Sequence, residues 1–467
     1  MTGPGSLTYA GALAAIETRG RYGIRLGLGR VRALLRELGE PQLAVRGALV
    51  AGTNGKGSVI ALAGSALRAA GYRVGETPKP HLVTYRERIV VDGRPISPEA
   101  FTALVEEVLP IADRIAPRLG PPTEFELLTA VMFLHFSRAS LDLALVEVGL
   151  GGRLDATNAW DGGVAVLTNV GLDHVAQLGP TIGHIAREKA AIVKRGDVAV
   201  TGADGEALAV LRRRCARLGV PLAGAPPAPI LGWTRDTLRV ELPRLGPVDL
   251  GLRGRHQAAN AAVADALLDA LEAVGLATVS ADARRRGYAD ARWPGRLELV
   301  EVEGPVGGAP REVLLDGAHN EDGARALAQA LDDLRPHLAP GPLTVVWASM
   351  ADKDVAATIR AVAASPALEG ATVIATAVDL PRALPATELA AAWREGTSAM
   401  GRRVDVRAVA DVDAAVEAAI GDDPVSRVPG GGGGGTWGPV LVAGSLYLVG
   451  AARARLVHDP LLRDPVP

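Results

Sequence analysis

Eight residues, Ala51-Gly-Thr-Asn-Gly-Lys-Gly-Ser58, combine three glycines with a lysine and a hydroxyl. That set suits phosphate chemistry. Glycines let backbone N–H groups approach phosphate oxygens, a following helix N-terminus adds positive dipole, and Lys56 adds a full charge. Ser58 carries a hydroxyl of the kind that reaches a nucleotide's Mg²⁺. The usual loop reads G-x-x-x-x-G-K-[ST]. Here Gly57 separates Lys56 from Ser58, and Val50 stands at the first glycine position. The stretch is either a nucleotide site of a different kind or a flexible turn.

Other residues also offer chemistry. Glu147 ends the apolar run LDLALVEV, from Leu141 to Val148, and leads into Gly149-Leu-Gly-Gly-Arg-Leu-Asp-Ala-Thr-Asn158. A carboxylate ending a buried strand sits where α/β sheets bind ligands and suits Mg²⁺; alternatively it caps a turn. His174 closes Thr168-Asn-Val-Gly-Leu-Asp-His174 and reads as a metal ligand or a structural histidine. Lys189, in Glu188-Lys-Ala-Ala-Ile-Val-Lys194, taken alone reads as a solvated helix residue. Lysine is scarce: of 50 basic residues only Lys56, Lys79, Lys189, Lys194 and Lys353 are lysines, leaving 45 arginines. Arginine cannot deprotonate and lysine can. A lysine kept in this background marks a place where arginine does not serve, or survives by chance.

The elements around these residues form a strand–loop–helix alternation. Residues 45–51, VRGALVA, read as a short strand, and Ser58 to Ala70 as a helix closed by Gly71. Further strands are expected at 141–148 and 163–170, with another beginning at 198–201, and helices at 126–137 and 182–193. This predicts a parallel sheet covered on both faces. A helix is expected at 256–274, then a proline–glycine break in ARWPGRLELVEV that marks a domain junction. The alternation resumes with strands at 313–316, 343–348, 372–376 and 440–443 and helices at 321–334, 354–364, 386–399 and 411–419. The six glycines at 430–435 read as a flexible surface loop.

Composition bounds the rest. At 467 residues the chain exceeds one core, and 48% hydrophobic with 22% charged residues is a soluble, globular balance. A net charge of −2 gives no electrostatic case for nucleic acid or an anionic membrane. No segment has the length of a membrane helix, the N-terminus lacks signal-peptide pattern, and the single cysteine, Cys215, fits a reducing cytoplasm.

The strings AGTNGKGS, HLVTYRERI, EFELLTAV, VEVGLGGRLDATN, TNVGLDH, IAREKAAIVK, GRHQAANAAVA, WPGRLE, LLDGAHN, ADKD and AGSLYLVG occur in this order. Together they resemble the folylpolyglutamate synthase/dihydrofolate synthase family, a branch of the Mur ligase superfamily, over nearly the whole chain. That family also has the extra glycine.

The resemblance implies an α/β fold: a P-loop-type ATPase domain with a mostly parallel sheet over 1–297, and a smaller Rossmann-like domain over 298–467. It implies an ATP-dependent amide ligase that adds L-glutamate to a pteroate or folate carboxylate through an acyl phosphate. ATP, two Mg²⁺ ions and K⁺ as a further cation are the implied cofactors. Dihydropteroate or tetrahydrofolate and glutamate are the implied substrates, and a cytoplasmic monomer without nucleic-acid or membrane partners is the implied state. Thr53, Asn54, Gly55, Lys56, Gly57 and Ser58 would hold the phosphates, with Asn260 near adenine, Arg296 on phosphate and Asp316 on ribose. Ser58, Glu147, His174 and Lys189, the last as a carbamate, would hold metal; Lys56, His174 and Lys189 are the implied catalytic set. Gly29 and Arg30, Thr123, Phe125, Arg153 and Leu154 would form the pterin walls, and His319 and Ser445 would meet glutamate.

One position departs from the family's pattern. Where relatives read T-S-P-H-L, with a serine close to the metal, this chain reads Glu76-Thr-Pro-Lys-Pro-His-Leu82. A cation does not ligate Mg²⁺. Either Thr77 supplies the hydroxyl, or Lys79 takes over part of the charge neutralisation, or Lys79 points to solvent. Two other functions compete. A sister Mur-type ligase for another carboxylate would carry a separate sugar-nucleotide domain ahead of the first strand, for which this chain has no room. A guanine-nucleotide switch would carry an N-K-x-D string, and none occurs. Lys56→Ala is expected to abolish turnover and leave the fold intact, because it removes a charge aimed at the transferring phosphoryl group. Near-parental rates from a folded variant would remove the nucleotide reading.

Overall fold

The computed structural model describes residues 7–23, 25–303, 310–421 and 438–465; the glycine run at 430–435 lies outside them. Eight strands form the first sheet: β1 (Gly47–Ala51), β2 (Val74–Thr77), β3 (Val90–Val91), β4 (Arg94–Pro95), β5 (Leu143–Glu147), β6 (Gly163–Leu167), β7 (Val198–Thr201) and β8 (Leu222–Gly224). Their order is β4-β3-β2-β5-β1-β6-β7-β8. Strands β2, β5, β1, β6, β7 and β8 run parallel; β3 and β4 turn back antiparallel at one edge. Strand β1 is central, with Gly47 in register with Ala144 and Gly163.

The strands read as unbroken apolar runs because both faces are buried. Leu49 and Ala51 of β1 join one core and Ala48 and Val50 the other. Helices Pro98–Leu119 and Glu124–Arg138 cover the first face; Lys56–Ala69, Gln257–Ala273 and Ala281–Asp290 cover the second. The 22-residue helix Pro98–Leu119 was not anticipated. Pro110 and Pro117 interrupt its sequence pattern, yet Phe101, Leu104, Val105, Val108, Ala112 and Ile115 recur at helical spacing and bury one face.

A second sheet was also unforeseen: β9 (Ile230–Trp233), β10 (Leu238–Leu242) and β11 (Gly246–Leu250), all antiparallel. In β10, Leu238, Val240 and Leu242 face the core while Arg239 and Glu241 face out, a period of two.

The third sheet holds β12 (Glu298–Val302), β13 (Arg311–Leu315), β14 (Thr344–Trp347), β15 (Thr372–Ala375), β16 (Asp405–Ala408) and β17 (Val440–Ala443), in the order β12-β13-β17-β14-β15-β16. Only β12 is antiparallel. Its helices Glu321–Leu334, Val355–Ala363, Ala386–Ala399 and Val412–Ile420 fall within about a residue of expectation. Among the described residues no helix is long and apolar enough to cross a membrane.

The chain passes from the first sheet to the third at Leu297, a leucine with φ of 47°. Its N–H is held by Asp316 Oδ2 at 2.9 Å. A second connection runs the other way. The end of the chain returns to the first part, where the Asp464 carboxylate accepts from Tyr9 (2.9 Å), Thr84 (2.8 Å) and Arg86 (3.0 Å). The buried Arg86 guanidinium also donates to the carbonyls of Leu461 (2.9 Å), Arg463 (3.0 Å) and Ile96 (3.2 Å).

Arg86→Ala leaves these carbonyls and Asp464 without their donor. The expected loss is about 2–3 kcal/mol, discounted because Asp464 keeps access to water. It should appear as a lower denaturant midpoint with faster proteolysis of residues 459–465; an unchanged midpoint would make the tail ornamental.

Candidate active site

The carboxyl ends of β5, β1 and β6 meet at one edge of the first sheet, and the glycine loop leaves from the central strand. Three close approaches shape that loop. A Cβ on Gly52 would lie 1.8 Å from Thr168 Oγ1, on Gly55 2.2 Å from Asn260 Oδ1, and on Gly57 2.3 Å from Trp293 Cζ2. Gly52 and Gly55 also have φ of 154° and 81°, open to glycine. The extra glycine is therefore explained: Gly57 makes room for an indole from the junction. Helix Lys56–Ala69 begins two residues earlier than expected, with Gly55 as its cap.

The loop after β6 pins the rest. Asn54 N–H donates to Asn169 Oδ1 (2.9 Å), Thr168 Oγ1 donates to the Asn54 carbonyl (2.6 Å), and Gly171 N–H donates to Thr53 Oγ1 (2.9 Å). Lys56 Nζ reaches the carbonyls of Gly52 and Thr53, both at 3.1 Å, and lies 3.9 Å from Glu147 Oε1.

Glu147 is 3% exposed, and burial raises its carboxyl above the usual range against the pull of Lys56 and Lys79. Lys189, from helix Ile182–Ala190, is 5% exposed and donates to the Gly52 carbonyl at 2.8 Å. Burial first and Lys56 second push its amine down to about 7. The sequence alone suggested a solvated residue; it is instead buried under the loop. His174 is exposed and in the left-handed region (φ 50°), its Nε2 3.7 Å from Asp173 Oδ2. Partial desolvation lowers its pKa, which favours neutral imidazole with a free lone pair.

The second part of the chain closes this edge into a cleft of about 640 Å³. Its lining includes Thr53 to Ser58, Lys79, Phe125, Glu147, His174, Asn260, Arg296, Asp316 and His319. Asn260 donates to Gln257 Oε1 at 2.8 Å. The Arg296 guanidinium lies against Gly317, where a Cβ would come within 1.8 Å of Nη1. Burial lowers its pKa while Asp316 and Glu147 oppose that shift. Both Asp316 oxygens serve backbone: Oδ2 takes Leu297 N–H and Oδ1 takes Ala318 N–H, each at 2.9 Å. His319 Nδ1 is bonded to the Gly317 carbonyl at 2.8 Å, which leaves Nε2 free for a ligand. Ser445 caps helix Leu446–Leu456 and is absent from the lining, whereas Leu446 is present.

A second cavity of about 380 Å³ opens beside the cleft. Leu26, Thr123, Phe125 and Leu154 line it, with Arg19, Arg25 and Asp155. Phe125 and Gly149 belong to both cavities. Gly29 and Arg30 stand outside the lining: Arg30 ion-pairs with Glu126 at 2.9 Å and donates to the Arg25 carbonyl at 2.8 Å. Arg153 likewise pairs with Glu188 at 2.9 Å, away from the cavity.

The chain is 35% identical over 463 residues to the dihydrofolate synthase/folylpolyglutamate synthase of Bacillus subtilis, covering 96% of this chain and 99% of that one. It belongs to the dihydrofolate synthase/folylpolyglutamate synthase family. Residues 295–423 match the model described as Mur ligase, glutamate ligase domain. The Mycobacterium tuberculosis folylpolyglutamate synthase complexed with ADP and AMPPCP superposes with a TM-score of 0.80 at 33% identity, covering 97% of this chain and 100% of that one. The Escherichia coli FolC in complex with DHPP and ADP gives 0.76 at 29%, covering 97% and 99%. This member of the folylpolyglutamate synthase family is thus an ATP-dependent ligase with the two-domain α/β fold of its relatives.

Four residues around the site had no assigned role in the sequence: Arg88, Asp155, Asn169 and Trp293. All lie inside strings that carry the family resemblance. Arg88 donates to His81 Nδ1 at 2.8 Å and lies 3.6 Å from Glu124. Asp155 Oδ2 accepts the Leu150 N–H at 2.8 Å. Gly57→Ala is expected to drive a methyl into Trp293 and cost about 1–3 kcal/mol of overpacking, read as about a tenfold to hundredfold weaker affinity for an ATP analogue by calorimetry. Trp293→Leu combined with Gly57→Ala should recover part of it. Unchanged affinity in Gly57→Ala would show that the loop does not need this contact.

Proposed function

We propose that this enzyme joins L-glutamate to the carboxylate of dihydropteroate, tetrahydrofolate or both, with ATP cleaved to ADP and phosphate. The observation that carries this is the pair of cavities sharing Phe125 and Gly149. The larger has a glycine loop and cations suited to a nucleotide. The smaller has an aromatic and apolar lining suited to a flat heterocycle. An acceptor lying in the second presents its carboxylate to a phosphate in the first.

An acceptor carboxylate oxygen attacks the γ-phosphorus, ADP leaves, and an acyl phosphate forms. The glutamate amine then attacks the acyl carbon, loses a proton, and phosphate leaves as the amide forms. Such phosphoryl transfer needs alignment and charge neutralisation. Lys56 and the loop amides hold the β- and γ-phosphates. Asn260 meets adenine, Asp316 the ribose, Arg296 a phosphate, and His319 the incoming glutamate. Ser445 acts only by seating the helix that carries Leu446.

Ser58 and Glu147 are hard oxygen donors on one cleft wall, and His174 adds an imidazole. Among the described residues no three or more His, Cys, Asp or Glu cluster as a metal cage. That suits Mg²⁺, which takes few protein ligands and completes its shell with phosphate and water. Two such ions, when bound, neutralise phosphate charge and polarise the transferring group; K⁺ is a further candidate. Lys189, as a carbamate, would hold the second ion together with His174. Its neutral amine adds to CO₂ and loses a proton, giving an anion with two oxygens; among the described residues no carboxylate forms an ion pair with it. One chain lines both cavities, so a monomer suffices, and the buried thiol of Cys215 fits a reducing cytoplasm.

Mass spectrometry of incubations of dihydropteroate or tetrahydrofolate with ATP, Mg²⁺ and glutamate should find products heavier by one or more glutamyl units. Phosphate release should require both acceptor and glutamate; release without them would overturn the reading. Lys189→Ala should lower the rate about a hundredfold or more, with partial rescue by a short-chain carboxylic acid at high bicarbonate. Full activity without rescue would exclude the carbamate.

A further inference from the structure

Lys79 stands on the wall between the two cavities. It follows β2 and lines the nucleotide cleft. Its N–H donates to Glu147 Oε2 at 2.9 Å, which fixes the backbone. Its Nζ lies 4.4 Å from the centroid of Phe125, the residue common to both cavities. Nζ donates one hydrogen bond, to the Glu147 carbonyl at 2.5 Å. An ammonium has three donors, so two remain. Among the described residues no carboxylate pairs with Nζ, although Asp155 and Glu147 lie close enough to favour its charge.

A part-buried cation with unused donors and no anionic partner is costly unless a ligand completes it. The aromatic face lowers that cost without supplying a hydrogen bond. What reaches this point is set by the cavities: any molecule extending from the second cavity past Phe125 into the cleft passes Nζ. We propose that Lys79 binds the reacting carboxylate of the acceptor and holds it against the nucleotide's terminal phosphate. The inference rests on the function proposed above and adds to it the group that receives the acceptor's charge. It also accounts for a lysine in a chain with 45 arginines. A compact ammonium fits one carbonyl and one ring face together, whereas a planar guanidinium spreads its donors over a wider fork.

The experiment pairs two acceptors with two variants. Full-length protein is titrated calorimetrically, in the presence of a non-hydrolysable ATP analogue, with a pteroate-type acceptor and with its carboxamide, which lacks the negative charge. The parent should bind the carboxylate about tenfold or more tightly over the amide, the worth of one charge-assisted hydrogen bond. Lys79→Met should bind both alike, with the carboxylate weakened and the amide unchanged. Lys79→Arg should keep part of the preference. Affinity for the ATP analogue should stay within about twofold in each, which also reports that the variants fold.

In kinetics the loss should fall on the acceptor's KM and not on that of ATP. A preference that survives in a folded Lys79→Met variant overturns this proposal alone, as does a loss confined to the ATP analogue. A parent that neither binds nor glutamylates a pteroate-type acceptor overturns the proposed function, and this inference with it.

Discussion

Backbone at Gly52, Gly55 and Gly57 runs closer to its neighbours than any side chain allows, and the site depends on that approach. Each contact comes from a different part of the chain: Thr168 after β6, Asn260 on helix Gln257–Ala273, and Trp293 at the junction. The loop is thus held from three directions at once. Its N–H groups keep a fixed geometry without help from their own side chains, which is what preorganised phosphate binding requires. Because one of the three props is Trp293, the loop also registers the position of the junction. The junction thus acts on the nucleotide loop through packing, beside the charges of Arg296 and Asp316.

Around this loop the charges are unbalanced by design. Lys56 and Arg296 line the cleft with the buried acids Glu147 and Asp316, while Lys79 stands at its border with the second cavity and Lys189 is buried under the loop. Burial depresses the amines of Lys79 and Lys189, to about 8 and about 7. An anionic ligand in the cleft favours the protonated form of Lys79, whereas the neutral amine of Lys189 is the form that adds CO₂. Clustered cations therefore raise the energy of the isolated site and sharpen its preference for highly charged ligands.

Much of this was legible in the sequence, for identifiable reasons. Parallel strands buried on both faces leave unbroken apolar runs, so β1, β5, β6 and β13 to β15 stood out. Glycine spacing marked the loop, and its flanking strand and helix gave it meaning. The helix Pro98–Leu119 did not stand out, because its internal prolines broke the pattern that its buried face obeys. The β9–β11 sheet was hidden by the brevity of its strands, although LRVEL alternates cleanly. At the site, the residues that gather around the loop and line the cleft were readable from motif chemistry. Arg30, Arg153 and Ser445 were not, because polar side chains near a site satisfy each other or a helix end as readily as a ligand. Trp293 and Asn169 were missed for a related reason: they shape a backbone, and no residue type announces that task.

The two parts of the molecule meet at several separated places: where Asp316 holds Leu297, where Arg255 pairs with Asp333 and Arg235 with Glu301 and Glu312, and where Asp464 sits among Tyr9, Thr84 and Arg86. Each is a modest ion pair or hydrogen bond taken alone. Spread around the cleft, they constrain its walls in more directions than one linker can. The cleft is stapled from several sides, and Arg296, Asp316 and His319 are set over the loop by the sum of contacts far from it.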